Sequence, residues 1–224
     1  MNGLTIVFDL DGTLVDTAPD LVGATNHVLA DLGAEPLPDT LLRPWISHGA
    51  RRMVVEALGI RQLPQTDAEI DRQLERFLEH YSANIARASR PFPGTLRALD
   101  QLAELGATLA VCTNKREYLS RLLLDQLDMT GRFKAIAGRD TFAVCKPEPG
   151  HLTGAIALAE GDTRRAVMIG DSEIDIATAK AAGVPVVAVS FGYTERHVRE
   201  FDPNMVIDHY DELVQAIEQV RPGR

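Results

Sequence analysis

The chain has 224 residues, 45% of them hydrophobic and 25% charged, with a formal net charge of −9 and a pI near 5.1. That length accommodates one sizeable core and a smaller insert, and the acidic balance argues against a general nucleic-acid binder, which needs a basic face. No apolar stretch approaches the roughly 18 residues of a membrane span, and the first residues enter a strand-like run instead of a signal peptide, so a cytoplasmic protein is expected, with Cys112 and Cys145 as thiols.

The first predicted element is a strand. Leu4, Ile6, Val7 and Phe8 form a short run of strand formers that suits a strand buried on both faces of a parallel sheet. Asp9 and Asp11 follow where it ends, on a turn that Gly12 lets close sharply. In open α/β sheets ligands bind beyond the carboxyl ends of the strands, which places both acids at the mouth of a site. One carboxylate can act as a nucleophile that captures a phosphoryl group, while a second, protonated one delivers a proton to the departing oxygen. Such an oxygen-rich pair also suits a hard divalent ion such as Mg2+. Taken alone, the segment also fits a plain Asp-Gly turn ending a strand.

From Asp16 to Arg90 no strand pattern is present, and helices are expected instead. Thr17 is placed to cap a helix that starts at Ala18-Pro19-Asp20 and ends near Gly33. A second is predicted over about Ala50 to Leu58, and a third over about Asp67 to Ala88, opened by a Thr66-x-x-Glu69 capping box. Ile70, Leu74, Phe77, Tyr81 and Ile85 give the third helix an apolar stripe, read as the core of a small bundle. Pro91-Phe92-Pro93-Gly94 then returns the chain to the sheet. Residues 16–90 are thus expected as an all-helical cap domain, and residues 1–15 with 91–224 as a Rossmann-like core: an α/β fold with a doubly wound parallel sheet.

Within the cap, the stretch from Arg43 to Arg61 holds four arginines and one glutamate. Arg52 has Glu56 four residues on, which leaves Arg43 and Arg51 freer to meet a substrate carboxylate. Gly49 and Ala50 offer helix N–H groups to an anion. Equally, these arginines can be solvated surface charges. Trp45 reads as a packing anchor and His48 as a loop residue near the specificity segment.

The remainder alternates strands and helices. Ala107 to Cys112 leads to Thr113-Asn114-Lys115, Ala166 to Ile169 leads to Gly170-Asp171-Ser172, and Val184 to Val189 leads to Ser190. Helices are expected near Thr95 to Leu105, Arg116 to Leu127, Pro147 to Ala159, Ile174 to Ala182 and Tyr210 to Val220. The Thr113 hydroxyl and the Lys146 ammonium can hold phosphoryl oxygens, as can backbone N–H groups between Leu10 and Gly12. Asp171 falls at a helix entrance with Asp175 one turn along the same face, which makes Asp171 a third candidate metal ligand. Ser172 fits a helix cap, Asp175 either a functional acid or a first-turn acid favoured by the helix dipole, and Asn114 and Lys115 the opening of a helix.

Taken in order, DLDGT, Thr113, Lys146 and GDSEID resemble the four motifs of the haloacid dehalogenase superfamily, along the whole chain. The resemblance implies Asp9 as nucleophile, Asp11 as general acid and base, and Mg2+ held by the Asp9 carboxylate, the Asp11 main-chain carbonyl and the Asp171 carboxylate, with Asp175 and Ser172 behind them. Phosphate would be gripped by Leu10, Gly12, Thr113, Asn114 and Lys146. The helical cap, the length and DLDGTLVDT are similar to the phosphoglycolate phosphatase family in particular. That similarity implies a small phosphorylated metabolite as partner, 2-phosphoglycolate first, with sugar phosphates, amino-sugar phosphates and pyrophosphate as alternatives. The WISHGARRM segment departs from the Gly-x-Gly loop of many such enzymes. Among rival functions, a phosphomutase would return the phosphoryl group to a sugar, a dehalogenase would have no use for Asp11, and a receiver domain does not carry two acids on one turn beneath a cap. No nucleic-acid or membrane partner is expected, and either a monomer or a homodimer is compatible with the sequence.

Overall fold

The computed structural model describes residues 1–194 and 196–222. In chain order its elements are β1 (Thr5–Phe8), β2 (Val15–Asp16), α1 (Ala18–Asp31), α2 (Asp39–Leu42), α3 (Ala50–Ile60), α4 (Asp67–Ala83), β3 (Arg90–Pro91), α5 (Thr95–Glu104), β4 (Thr108–Cys112), α6 (Glu117–Gln126), β5 (Ala135–Ala137), α7 (Pro149–Leu158), β6 (Ala166–Gly170), α8 (Glu173–Ala182), β7 (Val186–Val189), β8 (Met205–Ile207) and α9 (Leu213–Val220). Six strands form one parallel sheet in the order β5-β4-β1-β6-β7-β8. The chain winds outward from β1 to one side, then recrosses to fill the other, so β1 lies at the switch of a doubly wound sheet.

Alternation along β1 explains why it is buried on both faces. Ile6 and Phe8 join a core that includes Leu99 and Leu102 of α5 and Leu213 and Ile217 of α9. Val7 points the other way, against Leu152 and Ile156 of α7 and Ile176 of α8. Phe8 pairs with Val111 of β4 and with Ile169 of β6, so the residues that follow these three strands emerge at one sheet edge.

Above that edge sits a helical cap. Leu21 and Val28 of α1, Met53, Val54 and Leu58 of α3, and Phe77 and Tyr81 of α4 are all buried, each contributing roughly 1.5–3 kcal/mol of apolar burial. The cap leaves the core after β2 and returns through β3, and these two short strands pair antiparallel, Val15 with Pro91 and Asp16 with Arg90.

Several expected boundaries shift, each for a local reason. Helix α4 stops at Ala83 instead of Ala88, because the Asp20 carboxylate takes the N–H groups of Ala88 and Ser89 and the Ser89 hydroxyl, holding that segment off the helix. Helix α7 starts at Pro149, not Pro147, since Glu148 precedes a proline and adopts an extended conformation. Thr17 makes no capping hydrogen bond, and the Ala18 N–H donates to the Tyr193 hydroxyl at 3.0 Å in its place. Thr66 does accept from the Glu69 N–H, but the Glu69 carboxylate turns to Arg72 and Gln73, so half of the capping box forms. Strands β5 and β8, three residues each, lie at the sheet's two edges and escaped the sequence reading.

Candidate active site

Asp9 is the first residue after β1, and its N–H donates to the Ile169 carbonyl at 2.9 Å, which ties it into the sheet edge. The turn that follows brings Asp11 alongside. Gly12 is required there twice over: its φ is +83°, and a Cβ would stand 2.5 Å from Asp171 Oδ2. The Gly12 N–H donates to the Val15 carbonyl at 3.0 Å, so it is unavailable to a phosphate, contrary to the expectation. The N–H groups of Leu10 and Asp11 form no hydrogen bond among the described residues and face no such competition.

Lys146 stands at the centre of the charge arrangement. Its Nζ lies 2.9 Å from Asp9 Oδ1 and 2.6 Å from Asp175 Oδ1. Burial disfavours its charge, yet Asp175 and Asp9 hold its pKa above the ordinary lysine value. Asp175 is fully buried and occupied on both oxygens. Oδ2 accepts from the N–H groups of Asp171 and Ser172 and from the Ser172 hydroxyl, while Ser172 Oγ caps α8 by accepting from the Asp175 N–H. Asp175 therefore positions Lys146 and closes the capping box in one geometry.

Asp171 follows β6 and is also fully buried. Its oxygens accept from the Thr13 hydroxyl and from the Tyr193 N–H, both at 2.8 Å. Burial, reinforced by Asp175 and Asp9, pushes its pKa well above the usual carboxylate range. Burial likewise raises Asp9 to about 6, against the opposing pull of Lys146. Carboxylate oxygens of Asp9, Asp171 and Asp175 lie within 4.8 Å of one another. Asp9 Oδ1 is buried with the Lys146 ammonium as its ionic partner. Four carboxylates thus meet two ammonium groups, those of Lys146 and Lys115. An excess of buried negative charge of this kind fits a divalent cation. Asp9 and Asp171 have lone pairs left for one, whereas Asp175 is committed elsewhere.

Thr113, directly after β4, is buried, and its Oγ1 accepts from the Lys115 N–H at 3.2 Å, which leaves its own hydroxyl proton to donate. Asn114 donates to the Lys146 carbonyl at 3.0 Å and so joins the two loops. Lys115, expected only to open a helix, instead contacts both oxygens of Asp11 at 2.9 and 3.1 Å and lies 4.5 Å from the Tyr81 ring centre of α4. An apolar-run signal could not reveal that reach, because the Asp11 contact depends on β1 and β4 lying side by side and the Tyr81 contact on the cap lying over the turn. Cys112 is strand filler, its thiol pushed up to about 12 by burial.

Between cap and core lies a cavity of about 430 Å3, lined at its floor by Asp9, Asp11, Thr113, Asn114 and Lys115 and on its cap side by Leu74, Phe77 and Tyr81. The α4 stripe therefore serves the cavity wall as well as the bundle. The expected specificity residues divide. Gly49 and Arg51 line the cavity, though Arg51 is already paired with Asp71. Arg43 does not line it: its guanidinium pairs with Asp39 at 2.5 Å, approaches Asp16 at 3.9 Å and lies over the Tyr193 ring. His48 is exposed beside Trp45, whose ring is covered by Arg52. Arg116 and Arg139 also line the cavity and carried no sequence signal.

A parallel sheet whose central strand delivers two acids beneath a helical cap, with a lysine and a further buried acid arriving from later strands, defines a hydrolase core of the Rossmann type. The chain belongs to the haloacid dehalogenase-like hydrolase family, whose model matches residues 6–189. It is 53% identical to the phosphoglycolate phosphatase of Mesorhizobium japonicum over 93% of this chain and 92% of that one. It is 46% identical to the enzyme of the same name from Agrobacterium fabrum, over 94% and 91%. Among solved structures, that of a predicted phosphoglycolate phosphatase from Haemophilus somnus superposes with a TM-score of 0.89 at 27% identity, covering 96% of this chain and 97% of the other. Among the described residues no helix is long and apolar enough to cross a membrane.

Proposed function

We propose that this chain is a Mg2+-dependent phosphomonoester hydrolase whose preferred substrate is 2-phosphoglycolate, released as glycolate and phosphate. The observation that carries the chemistry is the Asp9–Lys146–Asp175 chain of contacts beside an Asp11 held by Lys115, all on the floor of one cavity or directly behind it. The names of the relatives, at up to 53% identity, support the substrate.

In this reading Asp9 attacks phosphorus, the bond to the leaving oxygen breaks, and Asp11 protonates the departing alkoxide. Asp11 then takes a proton from water, whose oxygen attacks the aspartyl-phosphate and releases phosphate. Lys115 fixes the orientation of the Asp11 carboxylate for both proton transfers. Lys146 neutralises charge on the non-bridging oxygens, Thr113 donates its hydroxyl, and the N–H groups of Leu10 and Asp11 add fixed dipoles. Mg2+, when held by Asp9, Asp171 and the Asp11 carbonyl, would supply further charge stabilisation. Residues 16–90 act as the cap domain that closes over the cavity and excludes water, and the two free thiols suit a cytoplasmic, reducing setting.

Phosphate release with Mg2+ across 2-phosphoglycolate, sugar phosphates, amino-sugar phosphates and pyrophosphate tests the reading, with Asp9→Asn as control. Preference for 2-phosphoglycolate and loss of turnover in the folded variant are expected. Retained turnover in Asp9→Asn would remove the covalent mechanism, and a faster alternative substrate would replace phosphoglycolate.

A further inference from the structure

The cavity wall carries two further charged groups that the chemistry at Asp9 does not use. Arg116 and Arg139 both line it, both are exposed, and among the described residues neither guanidinium forms a hydrogen bond or an ion pair. Every other arginine or lysine on the cavity wall is matched: Lys115 by Asp11, and Arg51 by Asp71 with Asp67 at 3.8 Å.

The backbone beneath these two arginines is held with unusual completeness for a loop. The Arg139 N–H donates to the Lys115 carbonyl at 2.9 Å. Asp140 accepts from the Glu117 N–H at 2.8 Å and so caps α6, whose preceding residue is Arg116. Thr141 accepts from the Gly138 N–H at 2.9 Å and donates to the Glu117 carboxylate at 2.6 Å. Gly138 makes the seam possible, since a Cβ there would stand 2.3 Å from the Glu117 nitrogen. The loop after β5 is thus joined to the start of α6, and the two arginines issue from one rigid seam.

The cap adds to this part of the wall. A Cβ on Gly49 would lie 3.6 Å from Arg139 Nη1, so the guanidinium stands at the start of α3, where no side chain caps the helix. Ser47, also on the cavity wall, has a buried hydroxyl with no hydrogen-bond partner. Free guanidinium groups, the uncapped start of α3 and an unpartnered hydroxyl thus all line the one cavity.

We propose that Arg139, with Arg116 beside it, is the specificity determinant of this enzyme and binds the carboxylate of the substrate in the cavity. The inference rests on the phosphoglycolate reading and adds to it the group that reads the carboxylate. It also moves that role from Arg43 and Arg51 on the cap to a loop of the core. Arginine suits it because its planar fork can hold both carboxylate oxygens at once.

The test is steady-state kinetics with 2-phosphoglycolate and its uncharged counterpart 2-hydroxyethyl phosphate, for the wild type and for Arg139→Ala, Arg139→Lys and Arg51→Ala. Losing a charge-assisted contact of this kind should lower kcat/KM for phosphoglycolate by about 30-fold, mostly through KM. The loss with the uncharged ester should stay within about 3-fold, Arg139→Lys should recover part of the preference, and Arg51→Ala should keep it. Equal losses on both esters in Arg139→Ala would overturn the inference, as would a preference that survives in Arg139→Ala and fails in Arg51→Ala. A wild-type enzyme that turns over another phosphate faster than phosphoglycolate marks instead a failure of the substrate reading, because it appears before any variant is made.

Discussion

Acidification should loosen this protein through His151, in the first turn of α7. The ring is fully buried, its Nδ1 accepts from the Lys146 N–H at 3.1 Å, and its Nε2 lies 3.0 Å from the Gly138 carbonyl. One nitrogen must accept and the other donate, which only the neutral imidazole can do. Burial, with Lys146 nearby, lowers its pKa from the model-peptide value of 6.5 to about 4. The unfolded chain therefore binds a proton that the fold refuses, and stability present above about pH 6.5 is lost as pH falls toward 4. Integrated from pH 7 to pH 5, that linkage amounts to at most about 2 kcal/mol, or roughly 4–8 °C in Tm for a chain of this size. The assay compares wild type with His151→Asn, which keeps an acceptor for the Lys146 N–H but cannot titrate, by urea unfolding at a series of pH values. The variant should be less stable at pH 7 by about 1 kcal/mol for the lost bond to Gly138, and its curve should be flatter between pH 6.5 and 5. Parallel curves, or an imidazole resonance that titrates near 6.5 in the folded protein, would refute the argument.

Two tyrosines give opposite expectations. Tyr193→Phe removes a hydroxyl that serves the Ala18 N–H and Asp16 and should cost about 1–3 kcal/mol, whereas Tyr81→Phe removes a buried hydroxyl without a partner and should be neutral or stabilising in the same denaturant titration. Asp175→Ala leaves Lys146 with one acid fewer and removes the carboxylate half of the α8 capping box, and a loss of about 3–5 kcal/mol is expected; a urea midpoint shift worth under 1 kcal/mol would contradict the positioning role. Asp20→Ala should free the Ala88 and Ser89 amides, seen as faster hydrogen exchange at those two positions than in the wild type, and unchanged exchange there would show that the latch is held by other contacts.

What could be read beforehand follows from where the information sits. Strand β1 and its acids were legible because an apolar run and two carboxylates are adjacent in sequence, and the same holds for β4 with Thr113 and β6 with Asp171. Lys115 was legible as a residue and not as a partner of Asp11, since their contact spans more than a hundred positions and needs β1 and β4 to be neighbours. Arg139 follows a three-residue strand too short to produce a pattern, and its neighbourhood is made by hydrogen bonds from Asp140 and Thr141 to a helix more than twenty residues earlier. Arg43 was misplaced for a related reason. Local spacing said nothing about Asp39, Asp16 and Tyr193, which claim its guanidinium from α2, β2 and the loop after β7.

The cap is attached to the core by contacts of two kinds. Entry and exit share a neck of two paired strands, and Asp20 of α1 binds the returning segment through two N–H groups and a hydroxyl, so the cap closes on itself before it meets the core. Tyr193 then joins that neck to the acid cluster: its hydroxyl reaches Asp16 and the start of α1, while its N–H holds Asp171. At the cavity the contacts between cap and core are of another kind, with Lys115 beneath the Tyr81 ring and Arg139 against Gly49 without a hydrogen bond. Directional bonds between cap and core therefore concentrate at the neck and undirected ones at the cavity. Such a distribution lets cap residues vary without disturbing Asp9, Asp171 and Lys146, and it explains why the acids and lysine were readable from short motifs while the determinants of substrate choice were not.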